Sequence, residues 1–269
     1  MNNFLWALTF LTVVPIDREG RIQPDACGSV VVWFPVVGFC IGIFLSMIYF
    51  AVSCLFPPLV ACALVILASV IVTGALHLDG FADTCDGIWG GWNKDKRLEI
   101  MRDSRIGSFG AIGLICLLGF KYVALLSIGE IYVSDKSPFT ALVRGVCCFG
   151  SHGLGSAYIA LLIMPVVGRW AQVCAAGLSA YARNEAGTGR FVLDNTSVKQ
   201  VVCTAFLPVL LLWLFCSLRG LVVFAIILIF TLGWIWYIKK KIGGMTGDTL
   251  GATNEIAEML FLLSLLLVY

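Results

Sequence analysis

The chain has 269 residues, 60% of them hydrophobic and only 13% charged, with a mean hydropathy of +0.97. A soluble domain carries roughly 25% charged residues and about 45–50% apolar ones, so a soluble fold is excluded. The net charge of +2 selects no partner, and no nucleic-acid partner is expected. The apolar residues lie in runs near the roughly 20 needed to cross the hydrocarbon layer as a self-satisfied helix. The expected fold is therefore all-α: a polytopic integral membrane helix bundle of about seven spans plus interfacial helices, forming one domain over residues 1–269.

Met1-Asn2-Asn3 supplies no positive region, and no small-residue cleavage pattern follows, so the start does not read as a secretory signal. Phe4 to Ile16 is too short to cross and is expected to be an interfacial or partly inserted helix. Spans are predicted at 29–55, 58–78, 109–128, 139–165, 199–218, 219–238 and 254–268, with a shorter, weakly apolar helix at 166–182. The Pro57-Pro58 turn and the turn around Arg219 mark helical hairpins. The 11 cysteines include no Cys-x-x-Cys pair and fall mostly inside spans, as small packing residues.

Placing the N-terminal region and alternate loops on the cytoplasmic side collects fourteen basic residues there: Arg18, Arg21, Lys94, Lys96, Arg97, Arg102, Arg105, Arg169, Arg183, Arg190, Lys199, Lys239, Lys240 and Lys241. The other side keeps Lys136 and Arg219, a strong positive-inside signal. Most acids follow the same side, while Glu130 and Asp135 face outward. Lys121 and Arg144 fall inside spans toward the outer half, where snorkelling to the interface is expected. His152, among Ser151, Gly153 and Gly155, reads as a helix-packing patch.

The second span runs into His77-Leu78-Asp79-Gly80-Phe81-Ala82-Asp83-Thr84-Cys85-Asp86-Gly87. On a helix Asp79, Asp83 and Asp86 fall within an arc of roughly 60°. Three close, poorly solvated carboxylates shift a pKa or bind a cation. All-oxygen ligands favour Mg²⁺ or Mn²⁺ with positions left open for phosphate. His77 falls roughly opposite the acids and is either a packing residue or a base. Gly80, Gly87, Gly90 and Gly91 beside the acids suggest close approach of backbone or ligand.

Next comes Lys94-Asp95-Lys96-Arg97-Leu98-Glu99-Ile100-Met101-Arg102-Asp103-Ser104-Arg105-Ile106-Gly107-Ser108-Phe109-Gly110, a surface-lying segment. Its cations meet anionic lipid, or Arg102 and Arg105, with Lys94 and Arg97, hold phosphate beside the metal. Ser108 reads as the N-cap of the third span, whose free amides form an anion site. Before the last span, Gly243-Gly244-Met245-Thr246-Gly247-Asp248-Thr249-Leu250-Gly251-Ala252-Thr253-Asn254-Glu255 is unusually polar. Asp248 and Glu255, i and i+7 on a helix, are candidates to complete the metal site. The segment lacks the Gly-Lys-[Ser/Thr] ending of a P-loop.

The 77–87 and 97–110 stretches resemble the adenosylcobinamide-GDP ribazoletransferase family, the cobalamin synthases. Leu8-Thr9-Phe10-Leu11 ahead of Pro15, Arg169-Trp170, the 182–189 loop and Gly243 through Glu255 extend the resemblance from end to end. The chain departs from the pattern at Cys85, in Thr12-Val13-Val14-Pro15 and across 184–188. The resemblance implies a Mg²⁺-dependent enzyme of the bacterial cytoplasmic membrane, its site facing the cytoplasm. It would join GDP-activated cobinamide to α-ribazole, or its 5′-phosphate, and release GMP. Asp79, Asp83 and Asp86 would hold the metal, and the base is left open among Asp83, Asp86, His77 and Asp248. Expected partners are the two substrates, the lipid bilayer, and either a second copy or other corrinoid-assembly enzymes. The competing readings are a CDP-alcohol-type membrane phosphotransferase, in which Arg rather than Asp83 would follow Ala82, and a cation-coupled transporter, whose ionisable groups belong near the midplane.

Overall fold

The structure, a computed structural model, describes residues 2–16, 30–130, 154–183 and 188–268. Its helices are α1 (Asn2–Leu11), α2 (Phe34–Ser53, led in by a 3-10 turn at Val31–Trp33), α3 (Pro58–Val72), α4 (Leu76–Gly90), α5 (Lys94–Ile100), α6 (Ser108–Glu130), α7 (Leu154–Gly177), α8 (Thr188–Asp194), α9 (Val198–Ile242) and α10 (Gly247–Val268). Among the described residues there is no strand, only a bridge between Tyr181 and Met245. The eight cysteines described are free. The expectations for Arg18, Arg21, Lys136, Arg144 and His152 lie outside the described residues.

Five helices are long and apolar enough to cross a membrane, and the bent pair α3–α4 makes a sixth span if taken together. At 45 residues and about 1.5 Å per residue, α9 is twice as long as a crossing requires. It is broken at Ser217, whose φ of 54° and ψ of −138° are not helical. Gly220 lies against the Leu212 carbonyl, so the chain doubles back into two membrane-length arms. This is the hairpin expected at Arg219, turned two residues earlier. The bundle is a polytopic all-α membrane fold, as the apolar runs required.

The expected span at 58–78 is not straight. Gly74 (φ 59°) and Ala75 (φ 58°) are both left-handed. The Ala75 amide donates to the Val70 carbonyl and the Gly74 amide to the Ile71 carbonyl, a Schellman closure of α3. α4 then leaves at 90°. The boundary expected at residue 165 also fails: Pro165 lies inside α7, which continues to Gly177. α7 is the centre of the bundle and almost wholly buried, whereas most of α6 is not. Gly38 on α2 sits against the Pro165 carbonyl, where a Cβ would come within 2.6 Å. Small residues at such crossings let membrane helices pack backbone to backbone.

Candidate active site

Two helices build the site, and a glycine on each lets them touch. A Cβ on Gly80 of α4 would lie 2.8 Å from the Asp248 carbonyl oxygen, and one on Gly251 of α10 would lie 3.2 Å from the His77 Cα. The polar segment before the last span, expected to start its helix near residue 254, is helical from Gly247. Its start is held by the 180–182 strip: Met245 donates to the Ala180 carbonyl and Ala182 to the Met245 carbonyl, both at 2.8 Å. That strip delivers Arg183, whose Nη2 donates to Asp248 Oδ2 at 2.8 Å. The Thr246 hydroxyl donates to the same oxygen at 3.2 Å.

Asp83 is half-buried and Asp79 exposed. Asp83 lies within electrostatic reach of Asp248, Asp79, Asp86 and Arg183. Among the described residues, four carboxylates thus stand with one guanidinium, so the corner carries net negative charge. Arg183 is the residue that sequence reasoning passed over. It lay in a polar stretch that gave no sign of its partner 65 residues away.

Asp86 does not stand free beside its neighbours. It is buried, and its two oxygens accept from the Gly107 and Gly110 amides, each at 2.8 Å. The carboxylate thus caps α6 from a different helix. Ser108, expected as the N-cap, is instead the first residue of α6, since Ala111 donates to the Gly107 carbonyl. Two of the amides expected to bind phosphate at this helix start, those of Gly107 and Gly110, are taken by Asp86, and Ser108 is exposed.

The basic residues divide. Arg97 Nη1 donates to the Lys241 carbonyl at 3.2 Å, and the Lys94 ammonium lies beside Gly243. Both sit at the carbonyl-rich end of α9, which favours cations. Gly87 and Gly91 make room for Arg97 and Met101, not for a ligand. Arg102 is exposed after α5. Arg105 forms a forked pair with Asp103, at 3.0 Å and 2.7 Å. It lines, with Asp86, Asp103, Gly107 and Ser108, a cleft of about 390 Å³. The fork holds the Asp103 carboxyl down to about 2.

Glu255 belongs elsewhere. Seven residues beyond Asp248, it lies about 10 Å further along α10 and accepts from Lys121 Nζ at 2.6 Å. Lys121 also donates to Glu258 at 2.7 Å, and Glu258 in turn accepts from Arg169. Lys121 is 4% exposed and Arg169 2%. Lys121 therefore does not snorkel, and Arg169 is no loop cation, because each has a buried carboxylate. His77 is also buried, with its Nε2 unpartnered among the described residues. Its electrostatic neighbours are Arg169 and Lys121, so it faces this interior group and not the aspartates, which argues against a role as base.

Among the described residues, no three His, Cys, Asp or Glu side chains are gathered closely enough to hold a metal ion as placed. Asp79, Asp83 and Asp248 nevertheless fit a hard divalent ion in chemical kind: all are carboxylates, one is exposed and two are partly buried, and their mutual repulsion calls for a cation.

Fold and site together define a polytopic helical membrane protein with a carboxylate-rich corner built by α4 and α10. The family model described as cobalamin-5-phosphate synthase matches residues 3–266, and the chain belongs to that family. It is similar to the adenosylcobinamide-GDP ribazoletransferase of Clostridium novyi, 33% identical over 99% of this chain and 97% of the relative. It is likewise similar to that of Klebsiella pneumoniae strain 342, 35% identical over 99% and 100%, and that of Acetivibrio thermocellus, 32% identical over 98% and 96%. No solved structure matches. Family membership sets aside the transporter and CDP-alcohol readings.

Proposed function

We propose that this chain joins adenosylcobinamide-GDP to α-ribazole, or to α-ribazole 5′-phosphate, and releases GMP, closing the nucleotide loop of cobalamin. The reading rests on family membership. The observation that carries it into the site is the meeting of Asp79 and Asp83 on α4 with Asp248 on α10. We place the site at the cytoplasmic face of a bacterial inner membrane, following the basic residues. That bias loses Arg169, now seen to be buried in the bundle, but keeps the Lys239–Lys241 run and the α5 cations.

A ribose hydroxyl attacks the cobinamide-side phosphorus. The bond from that phosphorus to the bridging oxygen breaks, and GMP leaves with the electron pair. The hydroxyl proton passes to a carboxylate, Asp83 or Asp248, the two buried enough to hold it. Asp79, Asp83 and Asp248 would hold Mg²⁺, drawing together around it, and the ion would neutralise diphosphate charge. Arg183 faces the same corner and orients Asp248. Arg105 and Arg102 border the approach from the α5 side, where Arg105 exchanges Asp103 for phosphate. Such catalysis is mainly positioning and electrostatic stabilisation.

Purified protein in lipid nanodiscs, given adenosylcobinamide-GDP, α-ribazole and Mg²⁺, should release GMP and form adenosylcobalamin. Asp83→Asn should abolish turnover with membrane insertion intact. Absence of metal-dependent GMP release by the wild type would sink the reading, and substantial activity in Asp83→Asn would remove Asp83 from the site.

A further inference from the structure

The interior charges form a chain that the transfer chemistry does not use. Arg169 on α7, Glu258 on α10, Lys121 on α6 and Glu255 on α10 alternate in sign and touch in sequence. Arg169 Nη1 also donates to Asn254 Oδ1 at 2.9 Å. Gly168 leaves the space that Asn254 and Glu258 occupy. All of these charges are buried in membrane-length helices.

Buried ion pairs seldom add stability over well-packed apolar residues, and their best attested use is to fix register. The stripe they lie on shows which register is fixed. Asp248, Gly251, Glu255 and Glu258 are spaced i, i+3, i+7 and i+10, one face of α10. Along it Asp248 rests on Gly80, Gly251 on His77, and Glu255 and Glu258 on Lys121. A one-residue slip of α10 would shift the carboxylates by about 1.5 Å and turn them by roughly 100°, breaking both bonds to Lys121. Asp248 differs in azimuth from Glu255 by only about 20°, so holding one aims the other.

The geometry points to Lys121 as a positioning residue: through Glu255 and Glu258 it locks the rotation and depth of α10 and thereby presents Asp248 to Asp83. This rests on the reading of Asp248 as a site residue. The test is the double variant Lys121→Met/Glu255→Gln, which removes one charge of each sign and leaves Arg169 with Glu258. It is compared with wild type in nanodiscs by hydrogen–deuterium exchange and steady-state kinetics. Amides of residues 246–252 should exchange at least tenfold faster while those of α2 and α7 are unchanged, and kcat should fall at least tenfold with KM for α-ribazole preserved. Unchanged exchange over 246–252, or equal acceleration through α2 and α7, overturns the proposal. Failure of the wild type to release GMP would sink the functional reading alone, since the exchange comparison does not depend on the reaction.

Discussion

Gly80 rests on the backbone of Asp248, so close that a methyl group there would come within 2.8 Å of the carbonyl oxygen and 2.9 Å of the Cα. Neither neighbour is a flexible side-chain end, so the helices must part to admit it. Overpacking of this kind costs about 1–3 kcal/mol. Gly80→Ala is expected to cut GMP release at least tenfold although no charged group is lost. Gly119→Ala, with nothing within 4 Å of the added carbon, should leave turnover near wild type and serves as the control. Equal activity in the two variants would show that the α4–α10 approach does not set the site.

Asp86 and the start of α6 give a prediction that separates capping from metal binding. An asparagine there keeps one acceptor but turns an N–H₂ toward a backbone amide. Hydrogen bonds to a charged group contribute about 1.5–3 kcal/mol, so Asp86→Asn should lower the thermal midpoint measurably. Gly110→Ala should mimic it, because the added carbon collides with the Asp86 carboxylate. In neither variant should the Mg²⁺ concentration for half-maximal activity move more than about twofold, less than 0.5 kcal/mol. A large shift in Asp86→Asn at an unchanged midpoint would return Asp86 to the metal.

The spans were legible because length and apolarity alone decide whether a helix crosses. The helical spacing of the aspartates was legible for a similar reason, since periodicity is local. What the residues in order do not disclose is partnership. Asp86 looked like Asp79 and Asp83, yet its partners lie 21 and 24 positions on. Lys121 and Arg169 looked like an outer snorkeller and a loop cation because nothing nearby in sequence neutralises them. The signal was present in Asn254, Glu255 and Glu258, a polar stripe at helical spacing within an apolar run. Glu258 in particular has no reason to be there without a buried cation. The turn at Gly74 and Ala75 was hidden by small residues that continue an apolar run.

Arg105 is exposed and paired with Asp103, so its removal should leave the fold alone. Arg105→Ala is expected to keep the thermal midpoint and raise KM for the GDP-bearing substrate about tenfold. The Asp103 carboxyl is depressed to about 2, so the pair is fully formed above the unfolded value near 3.9 and is lost only as pH falls toward 2. Between about pH 5 and 8 the wild-type KM should therefore show no inflection from this pair. A KM unchanged in Arg105→Ala would detach the cleft beside Asp86 from substrate binding.

Among the described residues Arg183 is the cation held against the acidic corner, and its replacement should pull binding and turnover in opposite directions. With Arg183→Gln, Asp248 loses the donor at 2.8 Å and keeps the Thr246 hydroxyl. The corner then becomes more negative, which favours a divalent cation, so Mn²⁺ titrated by electron paramagnetic resonance should bind several-fold more tightly. Turnover should fall at least tenfold, because Asp248 is no longer aimed and the diphosphate loses a positive neighbour. The opposite pairing, weaker Mn²⁺ with unchanged turnover, would mean that Arg183 only fastens the 180–182 strip to α10. Asp248→Asn gives the complementary test: it removes the carboxylate while leaving an acceptor for Arg183, and should weaken Mn²⁺ where Arg183→Gln strengthens it.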